Sequence, residues 1–151
     1  MGFSPLGLVV SIAALAPNLL LIWFPPRDQT PAAHAPRPLE WLERAGQALC
    51  LVLPAITRPG NIVWWWTLPA AIALVAYYAL WTRYLIDGRL HTLLYEPLWR
   101  VPVPMAILPV GVFLATAAWL SNPWIAAAAL VLGAGHVPVA IITSRTIAST
   151  P

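Results

Sequence analysis

Glu43, Gln47, Cys50 and Pro54 recur at steps of four, three and four, so a helix through them carries a carboxylate, an amide and a thiol along one face. An ionisable group in an apolar stretch either pairs with a partner or handles protons and ligands. His136 is the other ionisable group within the apolar runs. It follows Gly133-Ala134-Gly135 and precedes Val137-Pro138, a context that loosens a helix around an ionisable ring. Ser11 and Asn18 share a face of a third segment, where Pro17 leaves a backbone carbonyl without its usual N–H. Asn18, Gln47 and His136, with Glu43 at the mouth, are therefore the candidate ligand-binding residues. The same side chains also suit interhelical glue, in which a hydrogen bond contributes about 0.6 kcal/mol on average. Cys50 reads as a small packed residue.

The elements that must position these groups are membrane spans. The 151 residues are 60% hydrophobic and only 9% charged, with a mean hydropathy of +0.77, far from the roughly 25% charge of soluble domains. Five apolar stretches follow, at about 5–24, 41–57, 62–85, 101–120 and 124–143, each near the roughly 20 residues that cross a bilayer. The expected fold is a single all-α bundle of five transmembrane helices. Segment 41–57 is short and starts with Glu43 and Arg44, so four spans plus one re-entrant segment is the alternative. A signal peptide competes with the first span through Ala33-His34-Ala35, but no positive charge precedes the apolar run, which favours a retained anchor. The linker from Arg27 to Pro38 reads as extended.

With five crossings, alternate loops collect Arg27, Arg37, Arg44, Arg83, Arg89, Arg100 and Arg145 on one face and leave Arg58 on the other. That asymmetry places the amino terminus outside and the carboxyl terminus in the cytoplasm, as in a multi-pass protein of a bacterial inner, or plasma, membrane. At about 1.5 Å per residue, Asn18 and His136 each fall roughly 5 Å to the cytoplasmic side of their span midpoints, with Gln47 near the same height. Tryptophans and tyrosines at both ends of the third span suit the two headgroup levels.

The inner loop is the other place where chemistry is expected. Leu85, Ile86, Leu90, Leu93, Leu94 and Leu98 recur with a helical period, while Asp87, Arg89, His91, Glu96 and Arg100 lie largely off that face. This predicts an interfacial amphipathic segment between the third and fourth spans. Arg83, Arg89, His91 and Arg100 are its candidate headgroup-binding residues, with membrane lipids as partners. In the last span, Ala129 and Gly133 form a small-xxx-small pair able to receive a second copy or a larger membrane complex.

Named catalytic signatures are absent. Gly133-x-Gly135 lacks a third glycine and follows no strand, the histidines at 34, 91 and 136 have no ligand spacing, and a lone cysteine makes no metal cluster. No catalytic residue, metal or cofactor is assigned, and nucleic acid is not an expected partner. The leading expectation is a non-enzymatic protein that binds or transports a small or lipidic ligand, or serves as an accessory subunit. The alternative is a membrane-embedded enzyme acting on lipid headgroups through His136 and Glu43.

Five predicted helices, nine tryptophans and Trp23-Phe24-Pro25-Pro26 closing the first span resemble the tryptophan-rich sensory protein family. The resemblance covers topology and that stretch, and the family's Asn and Trp pattern is not evident from Ala106 to Thr143. It implies a further alternative, a tetrapyrrole or sterol bound within a five-helix bundle, without assigning residues to it.

Overall fold

The computed structural model describes residues 2–28 and 34–149. It is all-helical, with 76% of residues in helix and no strand among the described residues. Five helices carry it: α1 (Pro5–Trp23), α2 (Arg37–Ile56), α3 (Trp64–Ile86), α4 (Pro104–Trp119) and α5 (Pro123–Ala148). Of these, α1, α3 and α5 are long and apolar enough to cross a membrane. Helix α4 is apolar but has 16 residues. Helix α2 has 20, yet Arg37, Glu40, Glu43 and Arg44 occupy its first two turns and keep it out of that group.

Several boundaries differ from the sequence reading. Helix α2 begins at Arg37 rather than near Trp41, because Pro38 sits in the first turn, where a missing N–H costs nothing. Of the expected extended linker, residues 29–33 lie outside the described residues, and with them Ala33. Helix α4 starts at Pro104 for the same reason as α2, leaving Val101 and Pro102 in the preceding loop. The expected amphipathic segment is not a helix. It contains one 3-10 turn, His91–Leu94, and a tight turn closed by paired backbone bonds between Leu98 and Val101. Gly88 and Arg89 at positive φ, followed by Pro97, break the chain too often for an α-helix to grow.

Successive helices run in opposite directions, and hydrogen bonds between loops mark the two ends of the bundle. At one end Gly2 and Ser4 donate to the carbonyls of Ile56 and Ala55, Gly60 donates to Leu120, and Asn122 Nδ2 donates to Thr57 Oγ1 at 2.7 Å. At the other, Arg27 donates to the carbonyl of Arg89, Asp28 accepts from the backbone of His91, and Ser144 donates to the carbonyl of Tyr95. Arg58 belongs to the first end and the remaining described arginines to the second.

Prolines set the internal contacts. Pro17 interrupts α1, which passes through a 3-10 segment, Ala16–Leu19, before its last turn. Its missing N–H frees the carbonyl of Ala13, four residues back, and the Tyr78 hydroxyl donates to that oxygen at 2.9 Å. Pro54 does the same to Cys50 in α2, where the buried Ser11 hydroxyl donates at 2.8 Å. Glycines set the closest approaches. A Cβ on Gly7 would collide with the carbonyl of Pro54, one on Gly46 with the backbone of Leu132, and one on Gly135 with the backbone of Glu43. The last two make the seam between α2 and α5.

The main core lies toward the amino-terminal end and mixes small with large side chains: Ala14, Cys50, Val112, Phe113, Leu120, Ile125, Ala128, Ala129 and Leu132. Ala129 is fully buried there, and the nearest neighbour of a Cβ on Gly133 would be Val110 of α4. Of the small-residue pair expected to receive a partner, Ala129 thus packs inside this chain's own core, while Gly133 is half-buried beside α4. A second core, Tyr77, Trp81, Tyr84 and Met105, fills the opposite half.

Ser11→Ala removes the donor from Cys50 and should destabilise the protein by about 1–3 kcal/mol, the cost of a buried unsatisfied carbonyl. Adding Pro54→Ala supplies an N–H to that same oxygen. The double variant should recover part of the loss in a thermal-unfolding cycle in detergent, and strictly additive effects would disprove the substitution of one donor for the other.

Candidate functional site

The α2–α5 seam brings Glu43 and His136 together. Because Gly135 has no side chain, the α5 backbone lies against the backbone of Glu43, and the next residue, His136, meets the Glu43 carboxylate. His136 Nδ1 is 2.6 Å from Glu43 Oε1, with both side chains largely shielded. A neutral ring in this pair carries its proton on Nδ1 and leaves Nε2 as an acceptor.

His136 also lines a cavity of about 90 Å³ in the half of the bundle opposite the amino terminus. Asn18 from the break in α1, Tyr77 and Trp81 from α3, and Tyr95 from the loop line it too, while Leu21, Leu94, Met105, Ala106 and Ala140 complete the wall. The Tyr77 hydroxyl donates to Asn18 Oδ1 at 2.9 Å, which turns the Asn18 amide nitrogen into the group left to donate. Trp81 is 4% exposed, and its indole N–H, shielded from contact with water, lies beside the Tyr77 hydroxyl without forming a hydrogen bond of good geometry. Edge-on packing holds that ring between Tyr77 and Tyr84, at centroid separations of 6.3 and 5.6 Å.

Asn18, His136 and, through its bond to His136, Glu43 thus meet at one chamber. Gln47 does not line it. The buried face of α2 centres on Gly46, Cys50 and Pro54, and Gln47 is one helical step away from that line, about 100° around the axis. Tyr77, Trp81 and Tyr95 are chamber residues that a reading of aromatics as headgroup anchors passes over. The available signal was their spacing, since 77, 81 and 84 share one helical face. The chamber is much smaller than the roughly 300–1,000 Å³ of pockets for drug-sized ligands, so a tetrapyrrole ring does not fit inside it.

The loop residues proposed for headgroups are dispersed. Arg83 donates to Glu96 at 2.5 Å and lies 3.4 Å from Asp87. Arg89 stacks over the Phe24 ring at 5.7 Å. The His91 ring packs against Tyr95, with centroids 5.1 Å apart, and its backbone N–H donates to Asp28 at 2.6 Å. Arg100 stands exposed at the tip of the Leu98–Val101 turn. Arg83 is matched by carboxylates and Arg89 by a ring. The Tyr95 hydroxyl is held above its ordinary pKa, first by burial and then by the nearby Glu43 carboxylate, which places the loop within electrostatic reach of the chamber.

Burial lowers the His91 pKa below its ordinary 6.5, with Asp28 opposing the shift. Protons therefore bind the undocked loop more readily than the docked one. Docking is strongest above pH 6.5 and weakens as the pH falls below that value toward the folded-state pKa. Amide hydrogen exchange across residues 89–95, corrected for intrinsic rates, should accelerate between pH 7.5 and 5.5. His91→Gln should abolish that difference, and an unchanged pH response in the variant would exclude His91 as its source. Comparison of the chain with family models, curated proteins and solved structures finds no match, so the chamber is interpreted from its own chemistry.

Proposed function

We propose that this protein crosses the membrane five times, with the amino terminus outside and the arginine-rich end in the cytoplasm, and binds a small hydrogen-bonding ligand in the chamber beside His136. Three helices with the length and apolarity of membrane spans support the first part. So does a coat of exposed apolar side chains, including Val9, Ile12, Leu68, Ile72, Val75 and Leu130. The alternating helix directions, with Arg58 alone at one end, support the orientation through the preference of arginine for cytoplasmic loops. Helices α2 and α4 run antiparallel to these three and are read as crossing with them, α2 carrying its charged first turns at the cytoplasmic headgroup level.

The observation that carries the binding reading is a chamber whose otherwise mostly apolar wall presents the Asn18 amide and the His136 imidazole, the latter oriented by Glu43 at 2.6 Å. The volume suits a small molecule or a single polar headgroup.

A membrane enzyme is the second reading, favoured by the 2.6 Å contact between His136 and Glu43. A carboxylate orienting Nδ1 leaves Nε2 as a general base. The chamber wall contains no serine, threonine or cysteine and its Tyr77 hydroxyl is engaged with Asn18, so water or the Tyr95 hydroxyl would have to be the nucleophile. That requirement ranks catalysis below binding.

Two experiments test the proposal. In a Cys50→Ala background, Asn61→Cys should react with an impermeant thiol reagent in intact cells and Arg100→Cys only after permeabilisation; the reverse pattern would overturn the orientation. For the chamber, titration of the purified protein with butan-1-ol should shift the His136 imidazole nitrogen resonances saturably. His136→Gln should lose specific binding and about 1–3 kcal/mol of stability, because Glu43 is left without its partner. Absence of any saturable shift would remove the binding reading.

A further inference from the structure

Residues 96–102 leave the body of the protein between two fixed points. Tyr95 before them and Val103 after them pack into the same small core as Ala106 and Ala140, and the Ser144 hydroxyl also donates to the Tyr95 carbonyl. Between these anchors all seven residues are exposed, and five of them are apolar: Pro97, Leu98, Trp99, Val101 and Pro102. Trp99, near the tip, is 99% exposed. A contiguous apolar surface of this kind marks contact with a protein or a membrane rather than with water alone.

The backbone of the tip is already prepared for an apolar surrounding. Leu98 and Val101 exchange N–H···O bonds of 3.0 Å in both directions, so neither end of the turn leaves a backbone group unmet. Trp99 has a φ of +54°, in the left-handed region that a bulky side chain rarely adopts. Strain of that sort is retained where the placement of a side chain matters. Leu98, Trp99, Arg100 and Val101 together bound an open, almost wholly apolar concavity of about 420 Å³. Arg100 is the single charge in 97–102, since the preceding carboxylate, Glu96, is paired with Arg83.

We propose that the Leu98–Val101 turn is an interfacial anchor: Trp99 enters the boundary between headgroups and acyl chains of the cytoplasmic leaflet, and Arg100 meets a phospholipid phosphate. The inference rests on the membrane-spanning reading above and adds a lipid contact outside the spans. Chain length sets its reach. Trp99 stands five residues before Pro104, the first residue of α4, and so lies at most about 18 Å from the start of that helix. Lipid is the surface nearest to hand. An indole suits the headgroup level, arginine suits phosphate, and the concavity gives an acyl chain a wall to lie against. A protein contact is less well matched, because apolar protein interfaces are framed by a polar rim and this turn carries one charge. The interfacial role expected of a leucine-faced helix thus passes to a four-residue turn.

The test uses the full chain with Cys50→Ala in phospholipid nanodiscs and a nitroxide at Trp99→Cys, an exposed position whose replacement leaves the core untouched. Leu130→Cys, on the exposed face of α5, gives the bilayer reference. In power-saturation EPR, oxygen should collide with the label at position 99 more often than a water-soluble nickel chelate does. Arg100→Glu replaces attraction to phosphate by repulsion and should raise nickel accessibility at position 99 roughly two- to fivefold. The native indole is read by difference. Trp99→Phe should remove a fluorescence component that lipids brominated at carbons 6 and 7 quench more strongly than lipids brominated at carbons 11 and 12.

A bilayer value at Leu130 with free access of nickel to position 99 would overturn the anchor. Shielding of position 99 from oxygen and nickel alike would mean that a protein covers the turn, and the lipid assignment would fall. No response to Arg100→Glu would remove the phosphate contact while leaving the insertion of Trp99. A water-like value at Leu130 would defeat the spanning reading, and the anchor with it.

Discussion

A backbone carbonyl stripped of its N–H by a proline must find another donor, and in an apolar surrounding there is no water to provide one. Much of this bundle is arranged by that requirement. Pro17 strips Ala13 and Pro54 strips Cys50, and in each case a hydroxyl from another helix reaches the exposed oxygen. The resulting bonds tie α3 to α1 and α1 to α2. Tyr77 and Tyr84 extend the first of these ties to Asn18 and to the carbonyl of Phe24. A helix with a broken ladder is thus held along its length by three tyrosines of one neighbour, and the break is what brings Asn18 to a chamber wall.

The glycines act in the complementary direction, removing side chains where backbones must touch. Gly46 and Gly135 let α2 and α5 approach until a Cβ on either would overlap the other backbone. Such an approach has a chemical consequence only because of what stands beside it. Gly135 immediately precedes His136, and its contact is the backbone of Glu43 itself. The same close packing that holds the seam therefore fixes the acid–base pair, and a looser seam would separate the two groups by more than a hydrogen bond tolerates.

Helix number and approximate limits were legible from apolar run lengths, because these reflect properties of whole segments. The chamber was legible only in part. Asn18, Glu43 and His136 stood out as polar groups in apolar runs, and depth along the helix axis placed them at similar heights. Depth carries no information about rotation, which is why Gln47 matched in height and yet lies to the side of the buried face of α2. Tyr77, Trp81 and Tyr95 were obscured for another reason. Aromatic rings with one polar atom serve both headgroup belts and polar cavities, and only tertiary packing distinguishes the two. The inner loop misled differently: its leucines have a helical period, but Gly88, Arg89 at positive φ and Pro97 prevent the helix that the period implies.

The two unpartnered indoles illustrate how context decides the meaning of one chemical feature. Trp119 and Trp81 both have a buried N–H without an acceptor. Trp119 sits at the closed end, packed against Trp64 at 5.9 Å, where the backbone bonds from Gly60 and Val63 seal the loops over it. Its orphaned donor stands as a local cost of close packing. Trp81 bounds the chamber, and around it stand an amide with free donors and an imidazole held in one orientation by a carboxylate. An unmet hydrogen bond becomes a recognition element only when a ligand atom can reach it, and both indole nitrogens are shut off by their own packing; what Trp81 gives the chamber is its ring, while the groups left to meet a ligand there are the Asn18 amide and the His136 imidazole.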